Sequence, residues 1–184
     1  MLHLTLGTYE SPLGKIMLVT DDEGRLRALD YADHLARLHR LLQEHYEDHK
    51  LTPGPVPPIL VERLNRYFQG ELAALDDVEV VTEGTATQKK VWAALRAIPA
   101  GQTKSYGQLA KELGLNDPLA AREIGEVNNA NPVAIVVPCH RVIAKDGKLK
   151  GYAGGIHRKK WLLEHEKALI GSREETAKPR LPGL

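Results

Sequence analysis

Apolar and polar residues alternate loosely through HLTLGTYES (3–11) and GKIMLVT (14–20), the two-residue period of a half-buried strand. DDEG (21–24) is a turn signal and RLRALDY (25–31) a third strand, so 14–31 reads as a hairpin. The period then lengthens. Leu35, Leu38, Leu42 and Tyr46 recur at i, i+3, i+7 and i+11, the stripe of an amphipathic helix. TPGPVPP (52–58) cannot continue that helix and predicts a loop. Helical spacing returns in ILVERLNRYFQGEL (59–72), with Leu60, Leu64 and Phe68 on one face and Gly70 near its end. VEVV (78–81) predicts a short strand.

The second half is mostly helical. TATQKKVWAALRAIP (85–99) places Val91, Leu95 and Ile98 on one face and stops at Pro99. SYGQLAKELG (105–114) predicts a short helix capped by Ser105 and ended by Gly114. LNDP is a turn, and PLAAREIGEVNNA (118–130) a further helix starting at Pro118. Two short helices about a tight turn form a helix-turn-helix pattern, whose second helix can enter a DNA groove. PVAIVV (132–137) predicts a buried strand or extended segment leading to Cys139. KDGK (145–148) is a turn, GYAGG (151–155) exposes backbone, and KKWLLEHEKALI (159–170) closes as a helix. The expected class is α+β. A small N-terminal α/β domain with a short antiparallel sheet (1–82) precedes a mainly helical, winged-helix-like helix-turn-helix domain (83–170). The tail, 171–184, is expected to be disordered.

Composition narrows this picture. The chain has 184 residues, 42% hydrophobic and 27% charged, the profile of a soluble globular protein. Its one cysteine excludes an internal disulfide and a multi-cysteine metal site, and suits a reducing compartment. The start, MLHLTLGTYESPLG, predicts no signal peptide, and the longest apolar run is too short to span a bilayer. These features predict a cytoplasmic protein (nuclear in a eukaryote) without a membrane partner, metal or cofactor. Residues 1–82 carry 8 Lys and Arg against 14 Asp and Glu, whereas residues 83–170 carry 14 against 8. That asymmetry points to a polyanion partner for the second half. The histidines His3, His34, His39, His45 and His49 are scattered and read as surface or helix-face residues.

Cys139 is followed at once by His140 and Arg141, where the apolar run ends. A cysteine attacks as its thiolate and needs a base or a positive surrounding. His140 is the right kind of base, but side chains at i and i+1 do not face each other, so a bridging water is expected between them. A working histidine usually has an orienting partner. In the last helix Leu162, Glu166 and Leu169 share a face, and Glu164 lies with Lys160 and Lys167 on the polar side. A carboxylate on an apolar face requires a partner, so Glu166 is the candidate to hold His140. The plain alternatives are a buried inert thiol and a glutamate that reaches to water from the core rim.

PCHRV, GYAGG and RKKWLLEHE, with YFQGEL, VWAALRAIPAGQTKSYGQLA and AAREIG upstream, resemble the O6-alkylguanine-DNA alkyltransferase family, the methylated-DNA–protein-cysteine methyltransferases. The resemblance covers roughly 60–170. It implies a protein that flips an alkylated guanine from the duplex and takes the alkyl group onto a cysteine once, without regeneration. Carried onto this chain, the nucleophile is Cys139, deprotonated by His140 through a water, with Glu166 orienting His140 and Asn131 bracing the turn. Tyr106 assists the base. Val142, Tyr152, Ala153, Gly154 and Val127 line the base pocket. The Ala153 N–H reaches O6, and the Cys139 and Val142 carbonyls accept from the exocyclic amine. Arg122 fills the gap in the base stack, and Thr103, Ser105, Ala121 and Arg141 meet DNA. The implied partner is double-stranded DNA carrying O6-alkylguanine, bound by a monomer in the minor groove, with O4-alkylthymine open as a second substrate.

The chain departs from the family pattern in places. Thr87 stands where an aromatic is usual, and Glu123, Glu126 and Val127 follow Arg122 where small residues are usual. Residues 101–131 carry 3 basic against 4 acidic side chains, which should repel phosphates. Two rivals follow: a non-catalytic lesion-binding protein resembling the alkyltransferase-like group, which Cys139 argues against, and a thiol hydrolase, which the Cys139–His140 adjacency disfavours.

Overall fold

The computed structural model describes residues 1–149 and 151–168, together with the backbone of 174–176 and 178–179. The chain divides into two compact units. Met1–Lys89 and Pro132–Val136 form one; Lys90–Asn131 and the chain from Val137 onward form the other. The chain returns to the first unit for the five residues Pro132–Val136. The return is hydrogen-bonded. Leu29 N–H donates to Pro132 O (2.9 Å), and Ala134 N–H donates to Leu29 O (3.0 Å).

The first unit is built on a four-stranded sheet of β1 (Leu2–Ser11), β2 (Gly14–Asp21), β3 (Leu26–Tyr31) and β4 (His49–Pro53), in the order β3-β2-β1-β4. β1 and β2 form a hairpin that closes at the Ser11–Gly14 pair, where Gly14 has φ +101°. That conformation is open to glycine and strained for other residues. β2 and β3 pair antiparallel, as their turn signal predicts. β4 joins β1 in parallel, so the sheet is mixed, and Thr52 and Pro53, expected in a loop, end a strand. Pro53 is tolerated because β4 is an edge strand. VEVV forms no strand; Val80 makes only an isolated bridge to Leu26.

A single 3-10 turn (Ala32–His34) leads into α1 (Leu35–His45). Leu38 and Leu42 from α1 and Tyr46 beyond it pack with Leu4, Val19 and Ala28 of the sheet. Leu35, at the first turn, is exposed, and Leu41 is buried instead. α2 (Pro58–Phe68) buries Leu60, Leu64 and Tyr67, leaving Phe68 half-buried and stacked on Tyr9.

α3 (Ala86–Arg96) starts at a capping box in which Thr85 and Gln88 exchange side-chain to backbone bonds. Its buried residues Val91, Trp92 and Leu95 belong to the second unit. There β5 (Lys104–Ser105) leads into α4 (Tyr106–Glu112), which Ser105 caps by accepting from Gln108 N–H. Gly114, at φ +74°, ends that turn of chain. α5 (Ala120–Asn129) packs on α4. It starts at Ala120 and not at Pro118, because Asp117 turns the chain first, accepting from Leu119 and Ala120 N–H. Its buried residues, Ala120, Ile124, Val127 and Asn128, lie at one helical face.

The run PVAIVV is buried throughout yet is not a strand. After a bridge at Val133 it turns, with Ile135 at φ +70°. A β-branched residue there is strained by about 1–3 kcal/mol. Apolar composition here reports burial on every side and not strand geometry. A 3-10 turn (Cys139–Arg141), β6 (Val142–Ile143, parallel to β5) and α6 (Ile156–His165) complete the second unit. The expectation for the tail lies largely outside the described residues, as does Leu169; within it β7 (Glu174–Thr176) and β8 (Lys178–Pro179) pair antiparallel. No helix among the described residues is long and apolar enough to cross a membrane.

Candidate active site

Cys139, His140 and Arg141 form one 3-10 turn after Pro138. Successive side chains on such a turn point about 120° apart. Cys139 and His140 therefore diverge, and the partner of His140 comes from elsewhere: its Nε2 lies 2.8 Å from Glu166 Oε2. Glu166 sits at the C-terminal cap of α6, one residue past the helix. Gly101 permits this approach: at φ +91°, its added Cβ would stand 3.3 Å from Glu166 O.

Arg141 completes the cluster. Its Nε donates to Glu166 Oε1 (2.8 Å), one terminal nitrogen to Glu166 Oε2 (2.9 Å), and the other to Ile98 O (2.6 Å). His140 is 0%, Glu166 1% and Arg141 5% exposed. Arg141, expected at the DNA surface, is thus corrected to an internal residue. A guanidinium at that position finds a buried carboxylate, and the fork of donors matches it.

The charges in this cluster set a tautomer. Burial alone would raise the Glu166 carboxyl, but its contacts with His140 and Arg141 outweigh this and hold it well below the usual carboxylate range. Burial pushes His140 below its ordinary value, so the ring is neutral. An ionised carboxylate only accepts hydrogen bonds, so Nε2 carries the ring proton. The lone pair is then on Nδ1, which is buried and has no hydrogen-bond partner among the described residues. The arrangement presents a neutral imidazole oriented as a base.

Cys139 is buried. Its N–H donates to Val137 O (2.8 Å), and its own carbonyl accepts from Asn128 Nδ2 (3.1 Å). Asn131 Nδ2 donates to Val137 O (2.8 Å), bridging the end of α5 to the approach of the cysteine. Lys159, wholly buried, donates from Nζ to Val142 O (2.6 Å). Burial pushes this lysine down to about 8, while Cys139 acts to raise it. Its Nζ lies 5.9 Å from the Tyr106 ring centre. Burial, then the neighbouring Cys139, raises the Tyr106 phenol.

Tyr106, at the start of α4, lies beside Gly125 of α5 and Gly151 of the loop before α6. A Cβ on Gly151 would stand 3.3 Å from the Tyr106 oxygen. In that loop Tyr152 and Gly154 are buried and Ala153 is half-buried. Arg158 donates to Gly154 O (3.1 Å). Val127 is buried, and its carbonyl accepts from Trp92 Nε1 (3.2 Å). On the outer face of α5, Ala121 and Arg122 are exposed, and the Arg122 side chain, 78% open, pairs with Glu126 at 3.8 Å. Thr103 and Ser105 are partly exposed.

Within the second unit, three buried polar residues were not singled out from the sequence: Asn128, Arg158 and Lys159. The signal that flags Glu166 was present for each. Asn128 follows Ala120 and Ile124 on the apolar face of α5, and Arg158 and Lys159 share a face of α6 with Leu162 and Leu163.

Two family models match the chain. One, described as 6-O-methylguanine DNA methyltransferase, ribonuclease-like domain, covers residues 4–81; the other, the DNA binding domain of the same family, covers 86–168. A methylated-DNA–protein-cysteine methyltransferase of Salmonella typhimurium is 48% identical over 172 residues, 92% of this chain and 99% of that one. Its counterpart in Mycobacterium bovis is 44% identical over 171 residues, 91% of this chain and 94% of that one. Among solved structures, the OGT of Mycobacterium tuberculosis in complex with DNA matches with TM-score 0.72 and 42% identity, covering 90% of this chain and 92% of that one. The O6-methylguanine-DNA methyltransferase of Pyrococcus kodakaraensis matches with TM-score 0.64 and 28% identity, covering 89% and 98%.

Proposed function

The chain belongs to the 6-O-methylguanine DNA methyltransferase family, and from that premise we propose which of its atoms carry the reaction. Its activity is repair of DNA by alkyl transfer to a cysteine of the protein itself. With one cysteine in the chain, the acceptor is Cys139. The observation that carries the assignment is the His140–Glu166–Arg141 cluster, which holds a neutral imidazole with its Nδ1 lone pair available.

The substrate is O6-alkylguanine in double-stranded DNA. His140 Nδ1, through one water, takes the Cys139 proton. The thiolate sulfur forms a bond to the alkyl carbon, and the bond from that carbon to O6 breaks, leaving the electron pair on the base. Tyr106 hydrogen-bonds the departing guanine, and the Ala153 N–H supports O6 as charge develops there. The Cys139 and Val142 carbonyls accept from the exocyclic amine. Asn131 holds the turn. The thioether has no route back, so each molecule acts once.

DNA meets α5 from the minor groove. Arg122, the exposed cation of that helix, enters the base stack while the lesion is outside it. Ala121, Ser105 and Thr103 lie on the DNA side. The alkyl-transfer machinery is confined to 83–170, and the protein works as a cytoplasmic monomer.

The test is intact mass after incubation with duplex DNA carrying O6-methylguanine. The mass rises by one methyl group per chain, and Cys139→Ser abolishes the rise. An unchanged mass with lesion binding retained would instead favour the non-catalytic lesion-binding reading, and repeated turnover a hydrolase.

A further inference from the structure

The loop before α6 has little of its own to hold its shape. Three of the five residues 151–155 are glycine, and Gly151 (φ +65°) and Gly155 (φ +102°) lie in the left-handed region. Glycine-rich backbone loses the most freedom on ordering, so a fixed shape here needs outside support. One bond closes the loop on itself. Gly155 N–H donates to Tyr152 O (2.9 Å), which makes Ala153 and Gly154 the middle of a tight turn.

The N–H groups of those two residues have no acceptor among the described residues, although Gly154 is buried and Ala153 half-buried. Buried backbone donors are nearly always paired, so a turn that keeps two of them open presents them to an acceptor that is not part of the chain. In the functional reading above, the Ala153 N–H meets O6 of the flipped base.

The outside support comes from Arg158, in the first turn of α6 and 9% exposed. One terminal nitrogen of its guanidinium donates to Gly154 O (3.1 Å), and its own N–H donates to Gly155 O (3.1 Å). Side chain and backbone of one residue thus hold consecutive carbonyls at the end of the turn. Fixing Gly154 O fixes the exit of the chain from Gly154. With the Tyr152–Gly155 bond at the other end, the direction of both open donors is set. Burying a cation is costly unless it is hydrogen-bonded, and Leu162 and Leu163 share its face. An apolar side chain would pack there without that cost, so the guanidinium is retained for what it holds. When the bond from the alkyl carbon to O6 breaks, the electron pair goes to the base. Donors already held where that charge grows need no reorganisation as it forms.

We propose that Arg158 is a positioning residue for alkyl transfer: by holding Gly154 O it keeps the Ala153–Gly154 turn in the shape that meets the leaving O6. This rests on the functional reading above. Arg158 acts on the leaving-oxygen side of the reaction, and not on Cys139 or on DNA binding.

The experiment follows single-turnover methyl transfer from an O6-methylguanine duplex over a range of protein concentrations. This separates the plateau rate constant from the half-saturation concentration. The absorbance of the Cys139 thiolate is titrated against pH in the same proteins. Arg158→Met keeps an apolar stem and removes both the bond and the charge. It lowers the plateau rate constant roughly ten-fold, the lower end of the range for a hydrogen bond to a charged group. The half-saturation concentration and the thiolate titration stay at wild type. Arg158→Lys, which can still donate to Gly154 O, recovers part of the loss. Should methionine not fold at this buried position, as read from the melting curve, Arg158→Ala removes the donor without bulk and gives the same comparison. A folded variant with the wild-type plateau rate makes the bond purely structural and overturns the proposal. So does a shift in half-saturation or in the thiolate titration large enough to account for the lost rate, which would assign Arg158 to DNA or to the nucleophile. A wild-type chain that takes up no methyl group overturns the functional reading, and this inference with it.

Discussion

Replacing Arg141 with methionine separates an internal support from a DNA contact. The substitution removes two bonds to the Glu166 carboxylate and one to Ile98 O, all inside the second unit. Charge-assisted bonds contribute about 1.5–3 kcal/mol each, but they are not additive. The larger effect is what remains: a carboxylate 1% exposed that has lost its guanidinium partner and faces a neutral imidazole. Breaking a buried pair by removing one partner costs about 3–5 kcal/mol. For a chain of this size each kcal/mol moves the melting temperature by roughly 2–4 °C. The expected outcome in urea is a lower midpoint with an unchanged m-value. DNA affinity, measured on the folded variant across a salt series, keeps the wild-type slope, because no phosphate contact has been lost. Arg141→Lys, a point charge without the fork, loses less. A stability loss under about 1 kcal/mol, together with a salt slope shallower by about 0.9, would mean that Arg141 reaches DNA and that its buried geometry does not hold in solution.

Other outcomes follow from the same geometry. Lys159 has a folded pKa of about 8 against an ordinary 10.5. Between those values the unfolded chain holds a proton that the folded chain has released, so this group makes stability rise with pH from about 8 to 10.5. Urea midpoints across that window should lose the rise in Lys159→Met; an unchanged profile would show that the lysine is solvated. His140 is lowered by burial, so the unfolded chain takes up its proton first on acidification. Stability attributable to it is complete above about pH 6.5 and declines below, which a denaturation series at successive pH values checks against His140→Gln. Arg122→Ala should slow repair in duplex DNA while reaction with free O6-benzylguanine stays near wild type; equal loss on both substrates would remove it from the base stack.

Much of the site was legible because chemistry and local period are written residue by residue. The lone thiol, the adjacent histidine and a glutamate on an apolar helical face all lie within 139–166, and helical spacing singles out Glu166 without any knowledge of what it touches. The same helical faces carry further buried polar residues, which a partly polar stretch disguises. Lys159 sits in α6 with the same buried neighbours, and Asn128 lies on the buried face of α5.

Other features could not be read at all. PVAIVV looks like a strand because both a strand core and a buried turn must be apolar; φ +70° at Ile135 is set by bonds to β3, about a hundred residues away in the chain. β4 was hidden inside a proline-rich stretch because a parallel partner leaves no local turn signal. Arg141 shows the limit most plainly. An arginine in a basic stretch beside a nucleophile suits phosphate and carboxylate equally, and the chain alone does not say which anion it meets. Element types, the nucleophile and the charge asymmetry are local properties, carried by composition and period. The fork on Glu166, the tautomer of His140 and the unpaired oxygen of Asn128 depend on atoms brought together across tens of residues, and only burial makes each of them matter, since water would satisfy them all outside the core.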